Sequence, residues 1–135
     1  MYNPRFPHTL RVIRPKFDVS GVPEVDDNGD VIYEPVQLQL VDMMDGEPML
    51  TLEGEFQTYE ADEVNFGYRI STEATRTVTD VIVSDFRVDC PMFLTELKPG
   101  DILEIKDYER SYQGKVVKKT TYNLGTVIWY NEIKN

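Results

Sequence analysis

The sequence predicts an all-β fold, a small β-barrel or bent sandwich of about seven strands. Three observations lead there: apolar residues recur with period two, no long stretch carries helical periodicity, and turn-forming residues punctuate the chain roughly every 8 to 12 residues. With 135 residues and a hydrophobic fraction of 41%, the chain has the size and apolar content of one domain with its own core, and it shows no linker and no internal repeat.

Each element follows from local pattern. Leu10 and Val12 share a face of Thr9 to Arg14, and Pro15, which has no amide to donate, ends this first strand. Gly21 and Pro23 interrupt Phe17 to Val25, so this stretch reads as an irregular arm, with Asp26-Asp27-Asn28-Gly29-Asp30 as a loop tip. Val36, Leu38 and Leu40 alternate with Gln37 and Gln39, while Leu50, Leu52 and Phe56 alternate with Thr51, Glu53 and Glu55. Asp45-Gly46 lies between these runs, so 36–57 reads as a hairpin. Thr58 to Thr77 reads as a long excursion, and Val78 to Cys90 as the longest strand, centrally placed. Pro91 opens one or two helical turns over Met92 to Leu97, and Lys98-Pro99-Gly100-Asp101 is a turn. A closing meander is expected over Ile102 to Tyr108, Lys115 to Thr121 and Thr126 to Ile133, with connections at Ser111 to Gly114 and Asn123 to Gly125.

The net charge of −10 is unevenly distributed. Residues 1–17 carry Arg5, Arg11, Arg14 and Lys16 and no carboxylate, whereas Asp18 to Asn65 hold fourteen carboxylates and no lysine or arginine. From Arg110 onward the sign reverses, with Arg110, Lys115, Lys118, Lys119 and Lys134 against Glu132. Segregated opposite charges suit ordered contacts between subunits, and an acidic surface repels nucleic acid. No apolar run is long enough to span a bilayer, and the opening residues lack the apolar core of a secretory signal, so a cytosolic origin and no membrane partner are expected.

The residue inventory argues against catalysis and against any cofactor or metal. His8 is the single histidine and Cys90 the single cysteine, which leaves no His/Cys set for zinc and no triad beyond one built on His8. Asp26, Asn28 and Asp30 have the spacing of a calcium loop, but Val31 stands where the sharp-turn glycine belongs and Gln37 where the bidentate glutamate belongs. Tyr108, Tyr112, Tyr122, Trp129 and Tyr130 interleave with Arg110, Lys115, Lys118 and Lys119, the composition of a barrel that stacks oligonucleotide bases; core packing or a subunit interface accounts for it equally well.

Several segments together resemble the head-closure, or stopper, proteins of tailed bacteriophages. They are Phe6-Pro7-His8-Thr9-Leu10-Arg11-Val12-Ile13-Arg14-Pro15, the Asp-Asn-Gly-Asp turn after it, Gly67-Tyr68-Arg69-Ile70-Ser71-Thr72, and Lys98-Pro99-Gly100-Asp101-Ile102-Leu103-Glu104-Ile105 with its closing hairpin. The resemblance implies a non-enzymatic virion protein, made in the bacterial host cytoplasm. Such a protein assembles as a homo-oligomeric ring between the portal or adaptor and the tail-completion proteins, and a loop of it helps retain packaged DNA. The acidic hairpin or loop excursion 42–65 occupies the place of that channel-facing loop, and Asp42, Asp45, Glu47, Glu60, Asp62 and Glu63 are the expected channel or interface residues. An acidic DNA mimic that inhibits a DNA-binding protein and an oligonucleotide-binding barrel are the alternative classes.

Overall fold

The computed structural model describes residues 6–68, 86–122 and 125–133. The strands in chain order are β1 (His8–Pro15), β2 (Tyr33–Pro35), β3 (Leu38–Val41), β4 (Met43–Met44), β5 (Glu47–Pro48), β6 (Thr58–Ala61), β7 (Val64–Tyr68), β8 (Phe86–Cys90), β9 (Ile102–Asp107), β10 (Arg110–Tyr122) and β11 (Gly125–Glu132). No helix occurs among the described residues. Six strands close a barrel in the order β1-β7-β8-β11-β10-β9, and β9 returns to β1; β2 adds a seventh strand beside β1. All pairings are antiparallel.

Alternation fills the barrel. Each strand turns two side chains inward: Leu10 and Val12, Val64 and Phe66, Val88 and Cys90, Leu103 and Ile105, Ile128 and Tyr130, with Val116 and the half-buried Tyr112 from β10. A small sheet of β3 and β6 floors this core with Val36, Leu38 and Leu40. Burial raises the Cys90 thiol well above its ordinary pKa, with the charge of Asp89 adding to the shift, so the group is an inert core residue.

Several expectations need correction. The strand at Val36 to Leu40 does not pair with Leu50 to Phe56: β3 pairs with β6, from Leu38↔Ala61 to Val41↔Thr58. Leu50 and Phe56 instead face each other across their own tight turn. The acidic stretch 42–65 is therefore not one loop, because 58–61 and 64–65 belong to strands. Met92 to Leu97 is extended rather than helical, since its amides are committed elsewhere. Phe93 N donates to Thr126 Oγ1 at 3.1 Å, Leu94 N donates to Gln39 O at 2.9 Å, and the Phe93 ring is fully buried. Of the expected strand Val78 to Cys90, only 86–90 lies within the described residues, and it is β8; the Arg69–Thr72 part of the resemblance and the Asn123–Leu124 turn lie outside them.

The meander also shifts register. Its first turn is Tyr108-Glu109, not Ser111 to Gly114, since Arg110 already pairs with Asp107. Tyr108 takes the left-handed region, with φ of 48°, unusual for a bulky residue. Gly114 has a packing role: a Cβ there would lie 2.4 Å from Tyr130 Cδ2. That ring cannot swing away freely, because its hydroxyl is 2.7 Å from the Tyr112 hydroxyl. Gly114→Ala should therefore destabilise the protein by about 1–3 kcal/mol through overpacking. Urea unfolding of the two proteins checks this; an unchanged midpoint contradicts the packing.

Candidate functional site

Two excursions leave the barrel, and both are built on one plan. In the first, three backbone hydrogen bonds form a cycle: Lys16 N to Ile32 O at 2.9 Å, Glu24 N to Lys16 O at 2.8 Å and Ile32 N to Glu24 O at 2.9 Å. Three short antiparallel stems radiate from this junction, one continuing β1 and β2 at Pro15↔Tyr33 and two carrying the bridges Phe17↔Pro23 and Val25↔Val31. In the second, Asp42 N bonds Gln57 O at 2.8 Å, Met49 N bonds Asp42 O at 2.8 Å and Gln57 N bonds Met49 O at 2.9 Å. Its stems are Val41↔Thr58, Met43↔Pro48 and Leu50↔Phe56. We call them the first clover (16–32) and the second clover (42–57). The two excursions thus share a backbone plan although the sequence shows no internal repeat.

The turns explain why these residues fold so. Asp26 Oδ1 accepts from Asn28 N at 2.9 Å and Asp30 N at 3.0 Å, and Asp18 Oδ1 accepts from Ser20 N and Val22 N at 2.8 and 3.0 Å. Thr51 Oγ1 plays the same part for Glu55 N at 3.2 Å. A glycine with positive φ closes each of these three turns, and Asp45 and Gly46, at φ of 52° and 81°, make the remaining one. Asp26 and its neighbours are accordingly a turn, and among the described residues no group of three or more His, Cys, Asp or Glu is placed to hold a metal.

The six acidic residues singled out by sequence do not form one site. Asp42, Asp45 and Glu47 belong to the second clover, Glu60 to β6, and Asp62 and Glu63 to the β6–β7 connection. All are solvent-accessible, Asp42 least. Asp62 is bonded by the Gln37 amide, and Glu63 borders a groove of about 490 Å³ over β1, β9 and β10 that also includes Arg11, Lys106 and Ile133.

Sequence reasoning missed the apolar side of the clovers. Phe17, Val25, Val31 and Tyr33 are 54%, 55%, 38% and 45% exposed, and Met43, Leu50 and Phe56 repeat this in the second clover. The legible signal was the spacing Asp18-x-x-Gly21 and Asp26-x-x-Gly29, one turn written twice.

The C-terminal aromatics have a different setting. Trp129 and Tyr130 are buried and Tyr112 is half-buried, leaving Tyr108 and Tyr122 as the exposed rings of that set. At the His8 end of β1, Tyr68, Tyr112 and Tyr130 link hydroxyl to hydroxyl, 2.6 and 2.7 Å apart, and Tyr68 also bonds the Asp107 carboxylate. Arg110 grips Asp107 through two nitrogens at 2.8 and 3.2 Å, and its guanidinium lies 4.3 Å from the Tyr112 ring centroid. Those bonds from Arg110, helped by the Tyr68 hydroxyl, hold Asp107 below the usual carboxylate range, while burial drives the Tyr68 and Tyr130 hydroxyls upward. His8 packs against the Phe66, Tyr68 and Tyr108 rings in the same cluster.

Fold and surfaces together define a closed six-strand β-barrel bearing two acidic, apolar-faced clovers. Compared with protein-family models, with curated proteins and with solved structures, the chain matches none.

Because Asp107 is held ionised more strongly in the folded protein than in the unfolded chain, its contribution is complete above the ordinary carboxylate pKa of about 4 and fades as pH falls through its lowered folded value. Asp107→Asn should lower the melting temperature at neutral pH, and the gap to the parent should narrow in acid. Thermal melts across that range check this; a gap that is constant with pH contradicts the assignment.

Proposed function

We propose that this chain is a structural virion protein of a tailed bacteriophage, acting in a ring between portal or adaptor and tail and helping to retain packaged DNA. The observation that carries the reading is the placement of chemistry: acidic and apolar side chains stand exposed on two clovers outside a closed, well-filled barrel. An architectural protein needs that arrangement, a rigid frame with several separate contact surfaces. The acidic residues suit a channel through which DNA slides without adhering. The resemblance to head-closure proteins supplies the place in the particle, and no enzymatic step is assigned.

The test is the particle itself. The protein should be found by mass spectrometry in purified tailed virions, in a few copies per particle rather than in capsid stoichiometry. Its absence from particles, together with capture of a host DNA-binding protein, would favour the acidic DNA-mimic alternative. Replacing Glu60, Asp62 and Glu63 together by lysine should change folding stability by only about 0.5 kcal/mol per site, because these side chains are exposed, while particles carrying the triple variant should assemble poorly or leak DNA. Normal assembly and retention would show that these carboxylates are only a solvated face. The isolated protein should bind neither duplex nor single-stranded DNA at physiological salt; micromolar binding that weakens steeply as salt rises would instead favour the oligonucleotide-binding alternative.

A further inference from the structure

We infer that Asn28, at the tip of the first clover, is a site of spontaneous covalent modification, converted to aspartate or isoaspartate when the tip opens and held back by Asp26 while it is closed. Asn28 is the only asparagine in the chain that glycine follows. Asparagine is a thermolabile residue, and a following glycine, having no Cβ to stand in the way, leaves its amide nitrogen free to reach the asparagine side chain. In the reaction the Gly29 amide gives up its proton and its nitrogen attacks Asn28 Cγ. The bond from Cγ to the side-chain nitrogen breaks, ammonia leaves, and a succinimide ring remains. Water then opens the ring: cleavage of the new bond at Cγ gives aspartate, and cleavage between the nitrogen and the Asn28 main-chain carbonyl carbon gives isoaspartate. The sum is an amide and water going to a carboxylic acid and ammonia, with no oxidant or other co-reactant.

Packing does not protect this pair. Asn28 is exposed, its side chain makes no hydrogen bond among the described residues, and a Cβ built on Gly29 would meet no atom within 4 Å. Hydrogen bonds protect it instead, and Asp26 is a partner in all four that hold the tip. Gly29 N donates to Asp26 O at 3.0 Å and Asp26 N donates to Asp30 O at 2.9 Å, while Asp26 Oδ1 accepts from Asn28 N at 2.9 Å and from Asp30 N at 3.0 Å. The proton that must leave Gly29 is thus held on a carbonyl, and the amides on either side are tied to one carboxylate oxygen, so the main chain is not free to swing Gly29 N onto Cγ. Asp27 and Asp30 stand exposed beside it and, with Asp26, disfavour the negative charge that the attacking nitrogen must carry. Reaction therefore waits for local opening, and its native rate is the unfolded rate reduced by the fraction of time the tip is open. The product does not fit the closed tip: it brings a further carboxylate among these, and the isoaspartyl form lengthens the main chain between Val25 and Val31, which are bridged across the turn.

The test incubates the full chain at mildly alkaline pH, folded in buffer and unfolded in guanidinium chloride, and follows Asn28 by peptide mapping with mass spectrometry. Aspartate and isoaspartate should both accumulate at position 28, roughly tenfold or more slowly in the folded protein than in the unfolded chain. Asp26→Ala, which removes the shared acceptor and leaves the barrel untouched, should raise the folded rate several-fold with the β-type circular-dichroism spectrum kept. Asp26→Asn, which keeps an oxygen acceptor without the charge, should stay closer to the parent than to Asp26→Ala. An Asn28 that survives in the unfolded chain, or reacts as fast folded as unfolded, overturns the inference. So does a folded Asp26→Ala protein with the parent's rate, or an Asp26→Asn protein as fast as Asp26→Ala. Should Asp26→Ala lose its spectrum, the folded and unfolded parent and Asp26→Asn decide the matter by the same outcomes.

Discussion

The seam between β1 and β9 is the contact on which the rest of the structure depends. Thr9 to Ile13 pairs with Lys106 to Ile102, joining strands that are far apart in sequence and turning an open sheet into a barrel. Three layers of interaction reinforce it. Leu10 opposes Ile105 and Val12 opposes Leu103 in the core, while Arg11 and Glu104 pair directly across the outer surface. At the Pro15 end of the strand, Arg14 reaches Asp101 at 2.9 Å, and the same carboxylate accepts the Lys98 amide, tying the 98–101 turn to the seam. Closure leaves no free edge on β9, which is the way barrels avoid edge-to-edge association. Joining such distant segments before any other contact rewards them carries a loop-entropy cost, so the seam is expected to form late in folding.

How far this could be read from sequence depends on which interactions set each element. Where alternation meets a one-sided core, as in Leu10 to Val12 and Leu38 to Leu40, the inward positions were legible and the all-β barrel followed. Partner choice was not legible. Asp45-Gly46 does form its tight turn, yet it joins strands of two residues each, because the long-range pairing of β3 with β6 takes the place of the expected hairpin. Gly114 misled for a related reason: a glycine needed for close approach to Tyr130 looks in sequence like a glycine needed for a turn. The helical turns expected after Pro91 gave way to the burial of Phe93, a tertiary effect that local pattern does not contain.

The candidate surfaces were legible only in half. The charge blocks stood out, but composition could not say that the acidic stretch divides into two clovers joined by β2 and β3. Nor could it show that exposed Phe17, Val25, Val31, Met43, Leu50 and Phe56 share those clovers with the carboxylates. Each clover spends its backbone hydrogen bonds internally, so it keeps its shape with little burial of its own. Its large apolar side chains stand exposed rather than support a core. The barrel supplies rigidity, the tyrosine, arginine and Asp107 network locks one end, and the clovers carry exposed acidic and apolar side chains outside it.

Hydrogen exchange resolved by residue on the isolated chain tests this division of labour most directly. Amides of the barrel seam, such as those of Val12 and Leu103, should exchange only through global unfolding. The junction amides of Lys16, Glu24, Ile32, Asp42, Met49 and Gln57 should exchange through local opening. Clover amides as slow as the seam would contradict the account.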